Sequence, residues 1–182
     1  LIFDNEISKY KLTDGDTLVD IGAGDGYNDE LIFKFYPNMY FLLEDIKVKY
    51  LKGSNYYFKE GSQKYYFRDH YQMVLGNSDS IPLVSGQYRN ILCRITLHEF
   101  SNPTKMLQEI NRIMAINGQL IIVERIPKFE GQIDKTCKKK LLTQTEIVNM
   151  LATSAFKLIS TDSTKYQNNK FGGNAFILRF GK

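Results

Sequence analysis

A chain of 182 residues carries enough material for one sizeable core but not for two comfortable domains, so a single domain over residues 1–182 is expected. Its 43% apolar content is ordinary for a soluble protein, and a formal charge of +4 is too small to mark a dedicated nucleic-acid binder. No apolar run reaches membrane-spanning length and the N-terminus lacks a charged-then-apolar secretory pattern, so a cytoplasmic protein without membrane contact is expected.

In chain order, Thr17–Ile21 reads as the first strand. A glycine-rich turn leads into a helix over residues 27–36, where Tyr27, Leu31 and Phe35 repeat at four-residue spacing, Asn28, Asp29 and Glu30 supply polar groups to the first turn, and Pro37 ends the pattern. Residues 39–44 read as the second strand, stopping at the acidic pair Glu44-Asp45. Residues 47–70 read as a helix followed by loop. The aromatic and basic stretch 50–71 could stack on a planar substrate or on bases, but the preferred reading puts its apolar members in the core and its lysines in solvent. The echo between Asn55-Tyr56-Tyr57-Phe58 and Gln63-Lys64-Tyr65-Tyr66-Phe67 is too short to define a repeat.

Tyr71–Leu75, residues 88–95 and residues 119–125 read as the third, fourth and fifth strands. Between the last two, Pro103 suits a first helical position, Met106, Leu107, Ile110, Ile113 and Met114 make one apolar stripe, and Gly118 suits a C-terminal cap. Thr143 with Glu146 forms a capping-box pattern, and Ile147, Met150 and Leu151 line the inner face of the helix that follows. Residues 156–161 and 175–180 close the chain as a hairpin whose loop carries Gly172-Gly173, while Lys138-Lys139-Lys140 reads as a solvated loop. Strands alternating with helices imply an α/β protein with a mostly parallel sheet covered on both faces. Cys93 and Cys137 are far apart, and neither they nor His70 and His98 show zinc-type spacing, so no disulfide and no metal are expected.

The most telling segment is Val19-Asp20-Ile21-Gly22-Ala23-Gly24-Asp25-Gly26, with three glycines at alternate positions between a strand and a helix. Glycine tolerates positive φ and carries no side chain, so such a turn can bring its backbone against a ligand. A dinucleotide-binding loop needs its third glycine where Tyr27 stands, and a phosphate loop needs Gly-Lys-Ser or Gly-Lys-Thr; neither pattern is met.

This loop, with Glu44-Asp45, Gly76-Asn77-Ser78-Asp79-Ser80-Ile81-Pro82, Arg94-Ile95-Thr96-Leu97-His98-Glu99 and Ala155-Phe156-Lys157-Leu158, resembles the Rossmann-like S-adenosylmethionine-dependent methyltransferases, especially the quinone-biosynthesis group. The resemblance covers nearly the whole chain. It implies a three-layer sandwich around a seven-stranded sheet of order 3-2-1-4-5-7-6 with strand seven antiparallel. It implies S-adenosylmethionine as cofactor, contacted by Asp20, Gly22, Ala23, Gly24, Gly26, Asp45, Ile46, Asn77, Ser78 and Arg94. Asp45 would hold the ribose hydroxyls, with Glu44 the alternative one residue earlier. Asn77 stands where the family often has an aspartate toward the adenine; its amide can both donate and accept there.

The function expected is methyl transfer by direct displacement to a small-molecule acceptor. An RNA or protein methyltransferase of the same fold and a non-catalytic cofactor-binding protein are the alternatives. His98 follows the fourth strand, near where a methyl group would be presented, and an imidazole suits proton removal from a hydroxyl or ammonium acceptor. The competing reading is a histidine that packs against the cofactor or caps the Pro103 helix.

Overall fold

The computed structural model describes residues 2–53, 67, 69–167 and 172–182. Strands β1 (Thr17–Ile21), β2 (Tyr40–Asp45), β3 (Tyr71–Leu75), β4 (Tyr88–Arg94), β5 (Met114–Arg125), β6 (Lys157–Gln167) and β7 (Gly172–Gly181) form one sheet in the order β3-β2-β1-β4-β5-β7-β6. The first five pair in parallel, and β7 runs antiparallel to both β5 and β6. The strand order and the antiparallel seventh strand are those the sequence motifs imply.

Burial explains why the middle strands read as continuous apolar runs. Leu18, Val19, Ile91, Leu92, Cys93 and the stretch from Leu120 to Val123 have no exposed surface, because helices cover both faces of the sheet. On one face, α1 (Ile2–Ile7) and α2 (Tyr27–Phe33) bring Ile7, Ile32 and Phe33 against Leu18, Phe41 and Leu92. On the other, α4 (Pro103–Ile113) and α5 (Gln144–Ala152) bring Leu107, Ile110, Ile147 and Leu151 against Val19, Ile91 and Ile122. Each fully buried side chain of this size contributes about 1.5–3 kcal/mol, so the two layers fix the sheet's central edge firmly. A short helix, α3 (Val48–Gly53), follows β2. The strand order reverses at β1, between β2 and β4, and the crevice at this switch point is where open α/β sheets bind ligands.

Several boundaries depart from expectation for local reasons. Helix α2 stops at Phe33, and Tyr27 and Phe35 are about half exposed; the buried residues are Asp29, Ile32 and Phe33, so the four-residue spacing marks the outer face. Gly118 caps no helix. Helix α4 ends at Ile113, Met114 already pairs with Tyr88, and a Cβ on Gly118 would lie 3.0 Å from the Tyr88 carbonyl, so this glycine permits close strand approach inside β5. Strand β2 sits one residue later than expected, and β4 ends at Arg94 because Ile95 adopts φ 55. Gly172 and Gly173 pair with Gln167 and Tyr166 inside the hairpin strands. The capping box is formed as expected, with Glu146 N donating to Thr143 Oγ1 at 3.2 Å and Thr143 N to Glu146 Oε2 at 2.8 Å. Most of the aromatic and basic stretch, including the echo, lies outside the described residues. Phe67 from it is fully buried and stacks on Tyr71.

Candidate active site

Three left-handed glycines build the floor of the crevice, with φ of 75 at Gly22, 61 at Gly24 and 76 at Gly26. Gly22 is required twice over. Its φ disfavours any side chain, and a Cβ there would stand 2.3 Å from Thr96 Cγ2, so the turn after β4 rests directly on the turn after β1. Among the described residues, a Cβ on Gly24 would meet nothing within 4 Å. The amides of Gly22 and Ala23 both donate to the Glu44 carbonyl at 2.9 Å and tie the loop to β2. Gly26, at the N-terminus of α2, has no side-chain cap.

The end of β2 points its two acids to opposite sides. Asp45 lies beside the glycine loop, accepting from Gly24 N at 3.1 Å and from Lys47 N at 2.7 Å. A carboxylate oxygen has two lone pairs, so both oxygens keep capacity for further donors. Glu44 is buried against Gly76, whose absent side chain makes room for it. Its Oε1 has no partner among the described residues, and burial pushes its carboxyl up to about 7 despite the nearby Gly22 amide.

Under the loop lies a second acidic pair. Asp20 on β1 and Asp29 on α2 are both buried, and burial followed by mutual interaction raises Asp20 well above the usual range. Asp29 is likewise raised by burial. Among the described residues, neither oxygen of Asp29 has a hydrogen-bond partner. Arg94 stands below them on β4, forked onto Glu6 with Nε at 2.7 Å and Nη2 at 3.2 Å, while Glu6 also accepts from the Tyr10 hydroxyl at 2.5 Å. The structure thus makes Arg94 a strut joining α1 to the sheet.

The residues expected on the adenine side are on the surface. Ile46 is half exposed, and Asn77 and Ser78 are exposed. Asn77 spends its side chain within its own turn, its Oδ1 accepting from Asp79 N at 2.9 Å and its Nδ2 donating to Ser80 Oγ at 2.8 Å.

On the other side of the glycine loop, a sharp turn follows β4. Ile95 takes φ 55, a position that costs a β-branched residue on the order of 1–3 kcal/mol. That turn sets Thr96 against Gly22 and drops His98 into the core. The backbone N of His98 donates to Glu124 Oε1 at 3.1 Å, and its ring Nδ1 lies 2.8 Å from Glu124 Oε2. Facing a carboxylate, Nδ1 is placed to donate to it. Nε2 is buried and has no hydrogen-bond partner among the described residues. Glu124, fully buried at the end of β5, was not singled out from the sequence; an acid closing an otherwise apolar strand is the signal that marks it.

Comparison with known proteins agrees with this architecture. A family model described as a methyltransferase domain matches residues 12–172. A SAM-dependent methyltransferase from Aquifex aeolicus superposes with a TM-score of 0.79 at 16% identity, covering 98% of this chain and 88% of that one. The 1,6-didemethyltoxoflavin-N1-methyltransferase of Burkholderia thailandensis, solved with 1,6-didemethyltoxoflavin and S-adenosylhomocysteine bound, gives a TM-score of 0.73 at 12% identity, covering 100% of this chain and 78% of that one. At such identities the solved structures establish the fold. Among curated proteins, the uncharacterized methyltransferase YcgJ of Bacillus subtilis is 24% identical over 118 residues, 65% of this chain, and the match spans 44% of that relative's length. The chain belongs to the methyltransferase domain family and has the fold of S-adenosylmethionine-dependent methyltransferases.

Proposed function

We propose that this domain transfers a methyl group from S-adenosylmethionine to a small-molecule acceptor. The observation that carries the reading is the placement of Asp45 against Gly24, beside open space at the switch point of the sheet. The donor set fits the cofactor: backbone amides and a left-handed turn for its methionine end, and a carboxylate with spare lone pairs for its ribose hydroxyls. Asp20, Gly22, Ala23, Gly24 and Gly26 would surround the methionine portion. Asp45 would hold the ribose, with Ile46 against the adenine face and Ser78 and Asn77 at its edge, the latter after leaving its turn.

The bound cofactor supplies an electrophilic methyl group on a good leaving group, and this chain's task is alignment. Holding reactants in line is worth effective molarities of about 10⁵ M or more, so no covalent intermediate is needed. His98 is the acceptor-side base in this reading. Glu124 fixes its tautomer and leaves Nε2 to take the acceptor's proton, a role worth about 10²–10⁴-fold. A small acceptor is favoured because the Burkholderia enzyme of the same fold holds one, and because the chain's charge of +4 gives no dense basic face for RNA. The test is methyl transfer from deuteromethyl cofactor to pooled small molecules, RNA and protein, read by mass shift. Label in small molecules is expected; label confined to RNA or protein would replace the acceptor class.

A further inference from the structure

Besides Glu124, the His98 ring has two potential ligand neighbours, Glu99 next to it in sequence and Cys137 far from it. A ring nitrogen of His98, a carboxylate oxygen of Glu99 and Cys137 Sγ all lie within 4.8 Å of one another. Cys137 reaches this place on a braced loop. Asp134 accepts from Thr136 N at 2.6 Å and Cys137 N at 3.0 Å, and pairs with Arg125 next to Glu124. The side chain of His98 is fully buried, and its Nδ1 is taken by Glu124.

We infer that His98 Nε2, Glu99 and Cys137 Sγ form a binding site for a zinc ion, with Glu124 as the positioning residue that orients the imidazole. An imidazole, a carboxylate and a thiolate are the ligand types zinc takes, and three of them leave the fourth tetrahedral position open, as in exchangeable or catalytic sites rather than structural ones. A carboxylate on the far nitrogen of a ligating histidine is the usual support for such a site, because it fixes the tautomer and raises ligand basicity. The mixed donor set excludes magnesium and calcium, which take oxygen ligands. On binding, Cys137 gives its thiol proton to solvent and a zinc–sulfur bond forms, with no change of oxidation state.

The consequence for catalysis rests on the proposed function. Zinc on Nε2 occupies the lone pair that would accept the acceptor's proton, so the metal-loaded and proton-accepting forms of His98 exclude each other.

The test uses the whole chain, stripped with chelator and titrated with Zn²⁺ against a chromophoric competitor. One zinc per chain is expected at micromolar concentration, with Cys137 shielded from alkylation when the metal is bound. Cys137→Ser, at a partly buried loop position, should lower affinity at least tenfold, while Glu124→Gln should lower it about 10–100-fold. Absence of zinc binding at micromolar concentration, or equal affinity in Cys137→Ser, would overturn the site. S-adenosylhomocysteine titrated into the same samples reports the cofactor crevice separately, so failure there would strike the proposed function and leave the zinc result standing.

Discussion

Glu124 holds His98 from two directions, taking its backbone N–H at 3.1 Å on Oε1 and its ring Nδ1 at 2.8 Å on Oε2. The first contact fixes where the turn after β4 lies, and the second fixes the orientation of the ring. If this pair serves proton removal, His98→Asn should lower kcat about 10²–10⁴-fold while leaving cofactor affinity within a few-fold of wild type. Steady-state kinetics with metal chelated decide it; weakened cofactor binding with an unchanged kcat would make His98 a packing residue.

The two acids at the end of β2 separate by direction. Asp45→Ala should weaken cofactor binding by about 1.5–3 kcal/mol, the scale of hydrogen bonds to a charged group. Glu44→Ala removes a side chain that faces Gly76 on the opposite side, and should cost affinity less than Asp45→Ala. Parallel calorimetric titrations that ranked the two in reverse would move the ribose role to Glu44.

The glycine turn gives a contrast between space and strain. Gly22→Ala puts a Cβ 2.3 Å from Thr96 Cγ2 at φ 75, and should destabilise the fold by about 1–3 kcal/mol. Gly24→Ala meets no protein atom and pays only for its left-handed φ, about 1–2 kcal/mol. Its methyl group enters the ligand's space, so binding should suffer more than stability. Thermal melts with and without cofactor separate the two effects.

Glu44 also predicts a pH dependence of stability. Burial raises its folded carboxyl to about 7, whereas in the unfolded chain a glutamate titrates near about 4.3. Below the unfolded value both states hold the proton and nothing is lost. As pH rises toward 7 the unfolded state releases its proton first, so stability falls through this window and levels off above it. The loss from Glu44 should be on the order of 1–3 kcal/mol, and Asp29, also raised by burial, adds in the same direction. Denaturant unfolding at pH 5 and pH 8 should show the drop, and Glu44→Gln should flatten it; equal slopes in both proteins would mean that Glu44 is ionised in the fold.

Features carried by local pattern were legible in the sequence. The glycine turn, the Thr143 capping box and the apolar stripe from Met106 to Ile113 depend on neighbours a few residues away, while the strand order came from the family resemblance. What failed were inferences needing a third dimension. Helix α2 buries Ile32 and Phe33, since an exposed aromatic stripe and a core stripe have the same period. Gly118 serves close strand approach, which composition cannot distinguish from a cap. Arg94 is pulled onto Glu6 by a helix near the start of the chain, and Glu124 and Cys137 meet His98 only because β4 and β5 are adjacent. Such pairings leave no spacing signal, because their separation is set by the length of an intervening helix or loop.

The account's central claim meets its most direct test in calorimetric titration of S-adenosylhomocysteine into the folded, metal-stripped protein, with Asp45→Ala alongside. One site per chain in the wild type, weakened at least tenfold in Asp45→Ala, is the result expected from a carboxylate poised beside Gly24 at the switch point. A folded protein that takes up no S-adenosylhomocysteine would contradict the claim and leave the glycine crevice without its ligand.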